Sequence, residues 1–210
     1  LKTEIKTIYN TIDIELFKPN PKLIKPKSLL YFGTLVRKKG VLEIAKMFTK
    51  LVEEDDEITL VLLGKDNKDV FTGFSTLQMI KEILSEKAQK KLSYIEAVPY
   101  NQVLNYIQQA EVVLLPSFAE AFPMTWLEAM SLEKKLVTSN TGWAKELMID
   151  GVTGLMIDPI NTDDFKRKTL TLLNDSKEAD KMAVNARQRI VTNFDSNYSI
   201  QENINFYKNL

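Results

Sequence analysis

The chain has 210 residues, with 28 basic and 28 acidic side chains, no cysteine and no histidine. Zero net charge gives no bulk attraction to nucleic acid or to acidic lipid, so no nucleic-acid partner is expected. Without cysteine there are no disulfides and no Cys-ligated metals, and without histidine the commonest general base and metal ligand are missing. Any reaction run by these residues must use carboxylates, Lys, Tyr or Ser/Thr. A 44% hydrophobic and 27% charged composition is that of a globular chain able to bury a core. No apolar stretch approaches the ~18 residues of a membrane span.

In chain order, the pattern predicts a strand at 5–9 and then a linker at 17–27 holding Pro19, Pro21 and Pro26. The first strand is expected to stand somewhat apart from the rest. Strand 28–34 follows, then helix 41–54, strand 58–64, helix 75–91, strand 92–98 and helix 101–110. After these come strand 111–116, helix 123–132, strand 135–139, helix 143–149, strand 154–157, and helices 162–173, 177–191 and 196–210. Leu29-Leu30-Tyr31-Phe32 and Leu60-Val61-Leu62-Leu63 are apolar without alternation, as in strands covered on both faces. The repetition predicts an α/β fold: a Rossmann-like, doubly wound, mainly parallel sheet with helices on both faces. One domain is expected over 1–210. It comprises an opening strand and linker (1–27), an α/β core (28–195) and a terminal helix (196–210) with Ile200, Ile204, Tyr207 and Leu210 on one side. The chain opens on Leu1 in a segment that already reads as structured, and is expected to be part of a longer protein.

Ligands of open α/β sheets lie beyond the carboxyl ends of the strands, so the segments after the strands are the candidates. After the second strand, Gly33 and Thr34 lead to Arg37-Lys38-Lys39-Gly40 and a helix. Three cations at a helix start have the wrong sign for the helix dipole. A bound phosphate would resolve the conflict; a solvated basic turn is the alternative. No Walker or Gly-x-Gly-x-x-Gly spacing is present. The fifth strand is followed by Glu120 in a loop and by Glu128, the one charged residue between Ala121 and Leu132. Pro123 suits the first helical position. A carboxylate on an apolar helix needs a partner, and a sugar diol is a good one. The residues alone leave open that Glu128 meets an internal Lys or Arg while Glu120 is solvated. A third loop, Ser139-Asn140-Thr141-Gly142, also enters a helix, and reads equally as an ordinary cap. Only seven glycines occur, which makes each more positional.

Glu120-x7-Glu128 followed by Ala129-Met130 resembles the Glu-x7-Glu motif of family 4 retaining glycosyltransferases of the GT-B fold. The resemblance runs through most of the chain. Tyr9-Asn10-Thr11-Ile12-Asp13 and Phe17-Lys18-Pro19 look like the segment entering the C-terminal domain. Tyr31-Phe32-Gly33 to Lys39-Gly40 looks like its first phosphate loop. Leu62-Leu63-Gly64, the run from Ala110 to Ser117, Glu146, and Asp150-Gly151-Val152-Thr153-Gly154 follow in order.

The resemblance implies that this chain is the donor-binding half of the fold, without the N-terminal acceptor-binding domain that would be its partner. Lys39, with the turn at Gly33, Thr34 and Arg37, would bind the donor diphosphate. Glu128 would accept from the ribose hydroxyls. Glu120, the catalytic candidate, would face the donor hexose. The N–H groups of Phe122 and Met124 would help hold sugar or phosphate, and Val98-Pro99-Tyr100 would border the base. The implied reaction moves a sugar from a UDP- or GDP-sugar to a hydroxyl acceptor, a glycan or lipid-linked sugar, with retention and with no metal or cofactor. The implied setting is polysaccharide or glycolipid synthesis in the cytoplasm, with peripheral attachment at the inner membrane face in the full-length protein; the piece alone would bind without turnover. Thr34 stands where the family usually has Arg, Pro123 where a glycine often sits, and Glu133 where a glycine usually ends the acidic helix. Two other readings are a half-domain of a nucleotide-sugar epimerase and a non-catalytic scaffold that has lost donor binding.

Overall fold

The computed structural model describes residues 7–142 and 144–208. Six strands form one sheet: β1 (Ser28–Phe32), β2 (Thr59–Leu63), β3 (Leu92–Ile95), β4 (Val112–Leu115), β5 (Lys135–Ser139) and β6 (Leu155–Ile157). Their order is β3-β2-β1-β4-β5-β6 and every pairing is parallel. This is the doubly wound arrangement expected from the strand-helix repetition. Burial explains the apolar runs. Every residue of β1, β4 and β5 is buried, whereas the edge strand β3 is only half-buried or exposed.

The connecting helices are α1 (Val41–Glu54), α2 (Thr76–Ile83), α3 (Glu86–Lys90), α4 (Tyr100–Gln109), α5 (Met124–Ser131) and α6 (Ala144–Leu147). After β6 come α7 (Thr162–Asn174), α8 (Ser176–Asn193) and α9 (Ser196–Lys208). α1 packs against α2, α3 and α7, and α5 packs against α8. Right-handed crossovers that wind outward from β1 in both directions put these layers on opposite faces. Among the described residues no helix is long and apolar enough to cross a membrane.

Several expectations need correction. Residues 7–9 form no strand, and 5–6 lie outside the described residues. The opening segment does not stand apart. Ile12 bridges to Asp195, with Ile12 N donating to Phe194 O and Ser196 N to Ile12 O. Arg187 adds a bond to Phe17 O, so 12–17 is tied to the end of α8. The helix expected over 75–91 is two helices. Leu84 is extended, and the Ser85 hydroxyl caps a new start by accepting from Ala88 N. α6 is shorter than expected, and Trp143, its expected first residue, lies outside the described residues. In α9, Ile200, Ile204 and Tyr207 are exposed; Leu210 lies outside the described residues.

The end of α5 carries a substitution effect that can be measured. Glu133 sits at φ 52°. Its N–H bonds to Met130 O and that of Lys134 to Ala129 O, the paired bonds of a helix stop that ordinarily uses glycine. A side chain there costs roughly 1–2 kcal/mol, partly offset by the greater unfolded-state freedom of glycine. The 3.8 Å contact of Glu133 with Arg187 is too long to compensate. Glu133→Gly is expected to raise stability by about 0.5–1 kcal/mol, read as a rise in Tm of a few degrees. Glu133→Ala, which keeps a Cβ, should gain nothing.

Candidate functional site

The order of strands reverses between β1 and β4, the switch point beyond whose carboxyl ends open parallel sheets ordinarily bind ligands. The first loop begins with Gly33 and Thr34. Buried Tyr31 holds it from below, its hydroxyl donating to Thr34 O at 2.7 Å. Burial and the nearby Glu120 charge keep that phenol protonated, its pKa well above the usual value. A short 3-10 turn, Arg37–Lys39, follows, and Gly40 then starts α1. Gly40 has φ 72°, and a Cβ built on it would lie 2.0 Å from Pro116 O, the first residue after β4. The two loops therefore touch backbone to backbone. Phe118 N donates to Lys38 O at 2.8 Å and pins them further.

At this junction Lys39 Nζ and Glu120 Oε1 form an ion pair, and the Ser117 hydroxyl donates to the same oxygen at 2.9 Å. The loop after β5 closes the third side. Thr141 Oγ1 donates to Ser117 O at 3.3 Å, and a Cβ on Gly142 would lie 3.2 Å from Glu120 O. All seven glycines have positive φ, as their scarcity suggested.

The three cations do not sit in the first turn of α1. They precede it, and two have carboxylate partners. The Arg37 guanidinium forks onto Asp69, at 2.8 Å and 3.0 Å, and holds its carboxyl well below the usual range. Arg37 is thus committed to the loop after β2 and not to the Lys39–Glu120 pair. Lys38 is exposed.

Glu128 lies in the second turn of α5 and is buried, 5% exposed. Its Oε1 accepts from the Tyr100 hydroxyl at 2.6 Å. Burial raises its pKa, and the Tyr100 bond opposes that shift. Tyr100 is the first residue of α4, with Pro99 as the cap before it. The pairing of the two acids is thus the reverse of the one the residues alone left open: Glu120 has the internal cation, and buried Glu128 has a neutral phenol. Pro123 is the cap of α5 and not its first helical residue, because Trp126 N bonds back to Pro123 O. The amides of Met124 and Thr125 fall within that opening turn. Phe122 turns its ring onto Tyr9 (4.9 Å) and Phe194 (5.3 Å), and its carbonyl accepts from Asn10.

The structure therefore brings Gly33, Thr34, Lys39 and Glu120 together in the joined loops beyond β1 and β4, with the start of α5 in the same loop system. Glu128 and Pro99 meet through Tyr100, and Arg37 is held elsewhere. Sequence reasoning gave no role to Tyr31, Asp69 or Ser117. The only local signals were a phenol inside an apolar strand and a hydroxyl three residues before Glu120. Among the described residues no group of three or more acidic side chains is arranged to hold a metal ion.

The family of "Glycosyl transferases group 1" matches residues 13–189. A glycogen synthase of Mycobacterium tuberculosis is 27% identical over 194 residues, covering 91% of this chain and 45% of the relative. The chain thus spans about half the length, or less, of the curated relatives it matches. Among solved structures, Anabaena HepE in complex with UDP superposes with a TM-score of 0.82 at 22% identity, covering 98% of this chain and 57% of that one. The C-terminal domain of a glycosyl transferase group 1 protein from Francisella tularensis superposes with a TM-score of 0.75 at 19% identity, covering 88% of this chain and 99% of that one. By sequence and by fold, the chain belongs to the group 1 glycosyl transferases and forms one Rossmann-like half of a GT-B architecture.

Proposed function

We propose that this chain binds a nucleoside-diphosphate sugar across the β1/β4 switch point, as the donor half of a retaining glycosyltransferase. The observation that carries the reading is the Lys39–Glu120 pair, a cation from one loop and a carboxylate from the other where the two loops meet. In this reading Lys39 leaves Glu120 to neutralise the diphosphate, and Glu120 turns to the donor hexose. The turn at Gly33 and Thr34 lies along the phosphates. The free amides at the start of α5, that of Met124 among them, supply further donors, and Phe122 N is a candidate for the sugar. Glu128 accepts from the ribose hydroxyls, and the Pro99 turn borders the base.

The donor is UDP- or GDP-linked; UDP is favoured by its presence in the similar HepE fold. In the transfer, the bond from the anomeric carbon to the diphosphate oxygen breaks, and its electron pair leaves on the diphosphate. The acceptor oxygen bonds to the same face of that carbon and gives its proton to the departing diphosphate. Lys39 and the helix dipoles stabilise the charge that develops there. The acceptor, a glycan or lipid-linked sugar, is brought by a second domain of the full protein, working in the cytoplasm or at the inner membrane face. This chain alone binds donor without turnover.

Calorimetric titration with UDP, GDP and their sugars is the test. Saturable binding of one diphosphate is expected, and no binding of any at concentrations on the order of 1 mM would overturn the reading. The binding also has a pH signature. Glu128 must be ionised to accept from a diol, and its raised pKa lets it protonate earlier on acidification than an ordinary glutamate. Nucleotide affinity is therefore expected to fall as pH drops, starting above the usual carboxylate range. Glu128→Gln should weaken binding at neutral pH and remove that part of the pH dependence.

A further inference from the structure

A cavity of about 660 Å³ lies beside the Arg37–Lys39 turn. Its apolar wall is made by Val36, Val70, Phe71, Phe118 and Ile160. The three most exposed large apolar side chains of the described residues are Val70 (88%), Phe71 (79%) and Ile160 (75%). They come from two loops far apart in sequence, yet all three border this one cavity. Scattered exposed apolar residues are ordinary on a protein surface; their convergence on a concave site of ligand size is not.

The loop that presents Val70 and Phe71 is locked in place. The Asp69 carboxylate takes the Arg37 fork, Thr72 N (3.1 Å) and the Thr72 hydroxyl (3.0 Å). Asp69 N bonds to Phe74 O and Gly73 N to Asp69 O, both at 2.8 Å. Arg37 lies under the Phe71 ring, 5.4 Å from its centre. The polar groups on the wall are as specific. Lys38 and Lys68 form no ion pair among the described residues, whereas Asp69 is already neutralised by Arg37. Glu43 also lines the cavity; its Oε1 accepts from Lys46, and its buried Oε2 has no partner. An occupant matching all of this has an apolar tail, an anionic head for the lysines and a hydroxyl for Glu43.

We propose that this cavity binds a hydroxyl-bearing anionic amphiphile. Phe118 and Lys38 belong both to this wall and to the loops that carry Glu120 and Lys39, so an occupant would sit against the donor site.

The probe is 1-decyl-glycerol-3-phosphate, titrated calorimetrically below its aggregation concentration. Glycerol-3-phosphate lacks the tail and decylglycerol lacks the charge, and these are the comparators. Saturable binding of the probe is expected, with both comparators at least about tenfold weaker. The double substitution Phe71→Ser and Ile160→Ser, at positions too exposed to threaten folding, should weaken the probe by about tenfold or more. It should leave UDP affinity unchanged. Lys68→Ala should weaken the probe by roughly fivefold. Absence of probe binding, undiminished binding by the double variant, or equal binding of glycerol-3-phosphate would each overturn the proposal. Failure to bind UDP alongside intact probe binding would sink the donor reading and leave this site standing.

Discussion

Lys39→Ala is expected to weaken UDP binding by about 10- to 100-fold, while Glu120→Gln strengthens it. Lys39 and Glu120 already satisfy one another, with side chains 25% and 19% exposed. A diphosphate must displace the carboxylate before it can use the cation. A charge-assisted bond to a phosphate in a partly buried site contributes about 1.5–3 kcal/mol, which sets the loss when the ammonium is removed. The pair itself is partly solvated and is held to roughly 1 kcal/mol. Releasing Lys39 by neutralising Glu120 should therefore raise affinity for UDP by a few-fold and no more. For a UDP-sugar the sign should reverse, since the carboxylate that faces the hexose is lost. Calorimetry on the two variants with both ligands checks all four values. If Lys39→Ala binds UDP as the parent does, the diphosphate does not lie on this turn. If Glu120→Gln leaves UDP affinity unchanged, the pair is no barrier to binding.

The same residues show how far the sequence could be read. β1 and β2 were legible because a short, unbroken apolar run fits a strand covered on both faces, and strand-helix repetition then constrains the topology. The candidate site was legible as positions: Gly33, Lys39 and Glu120 fall in the segments that follow carboxyl ends of strands, and Glu128 on the helix that one of them enters. Partners were not legible. Nothing near Arg37 announces that Asp69, 32 residues on, will take both arms of its guanidinium. Nothing near Glu128 marks Tyr100, 28 residues before it. Such pairings are set by which loops the sheet order brings side by side, and a periodic pattern does not encode them. The break at Leu84 and Ser85 was hidden for a different reason. A serine inside a helical period is tolerated or caps a new helix according to tertiary context, here Thr49 Oγ1 accepting from Ser85 N at 3.2 Å.

Gly40→Ala should be among the most damaging single-methyl changes in the chain, and Gly73→Ala isolates the reason. Both glycines have nearly the same backbone, φ 72° and φ 75°. A side chain at either pays the left-handed cost of about 1–2 kcal/mol. At Gly73 a new Cβ meets nothing within 4 Å, so that cost is the whole effect. At Gly40 it lands 2.0 Å from Pro116 O and 2.9 Å from Pro116 C, backbone atoms at the end of a buried strand that cannot rotate away. The loops must separate or the sheet must shift, and the loss is expected to reach about 4 kcal/mol or more. Urea unfolding of the two variants measures the difference. Nucleotide titration of whatever Gly40→Ala remains folded reads its consequence, since parting the loops withdraws Lys39 from Glu120. Equal stability of the two variants would mean that the β1 and β4 loops are not in backbone contact. The convergence of a cation and an acid on which donor binding depends would then lose its structural basis.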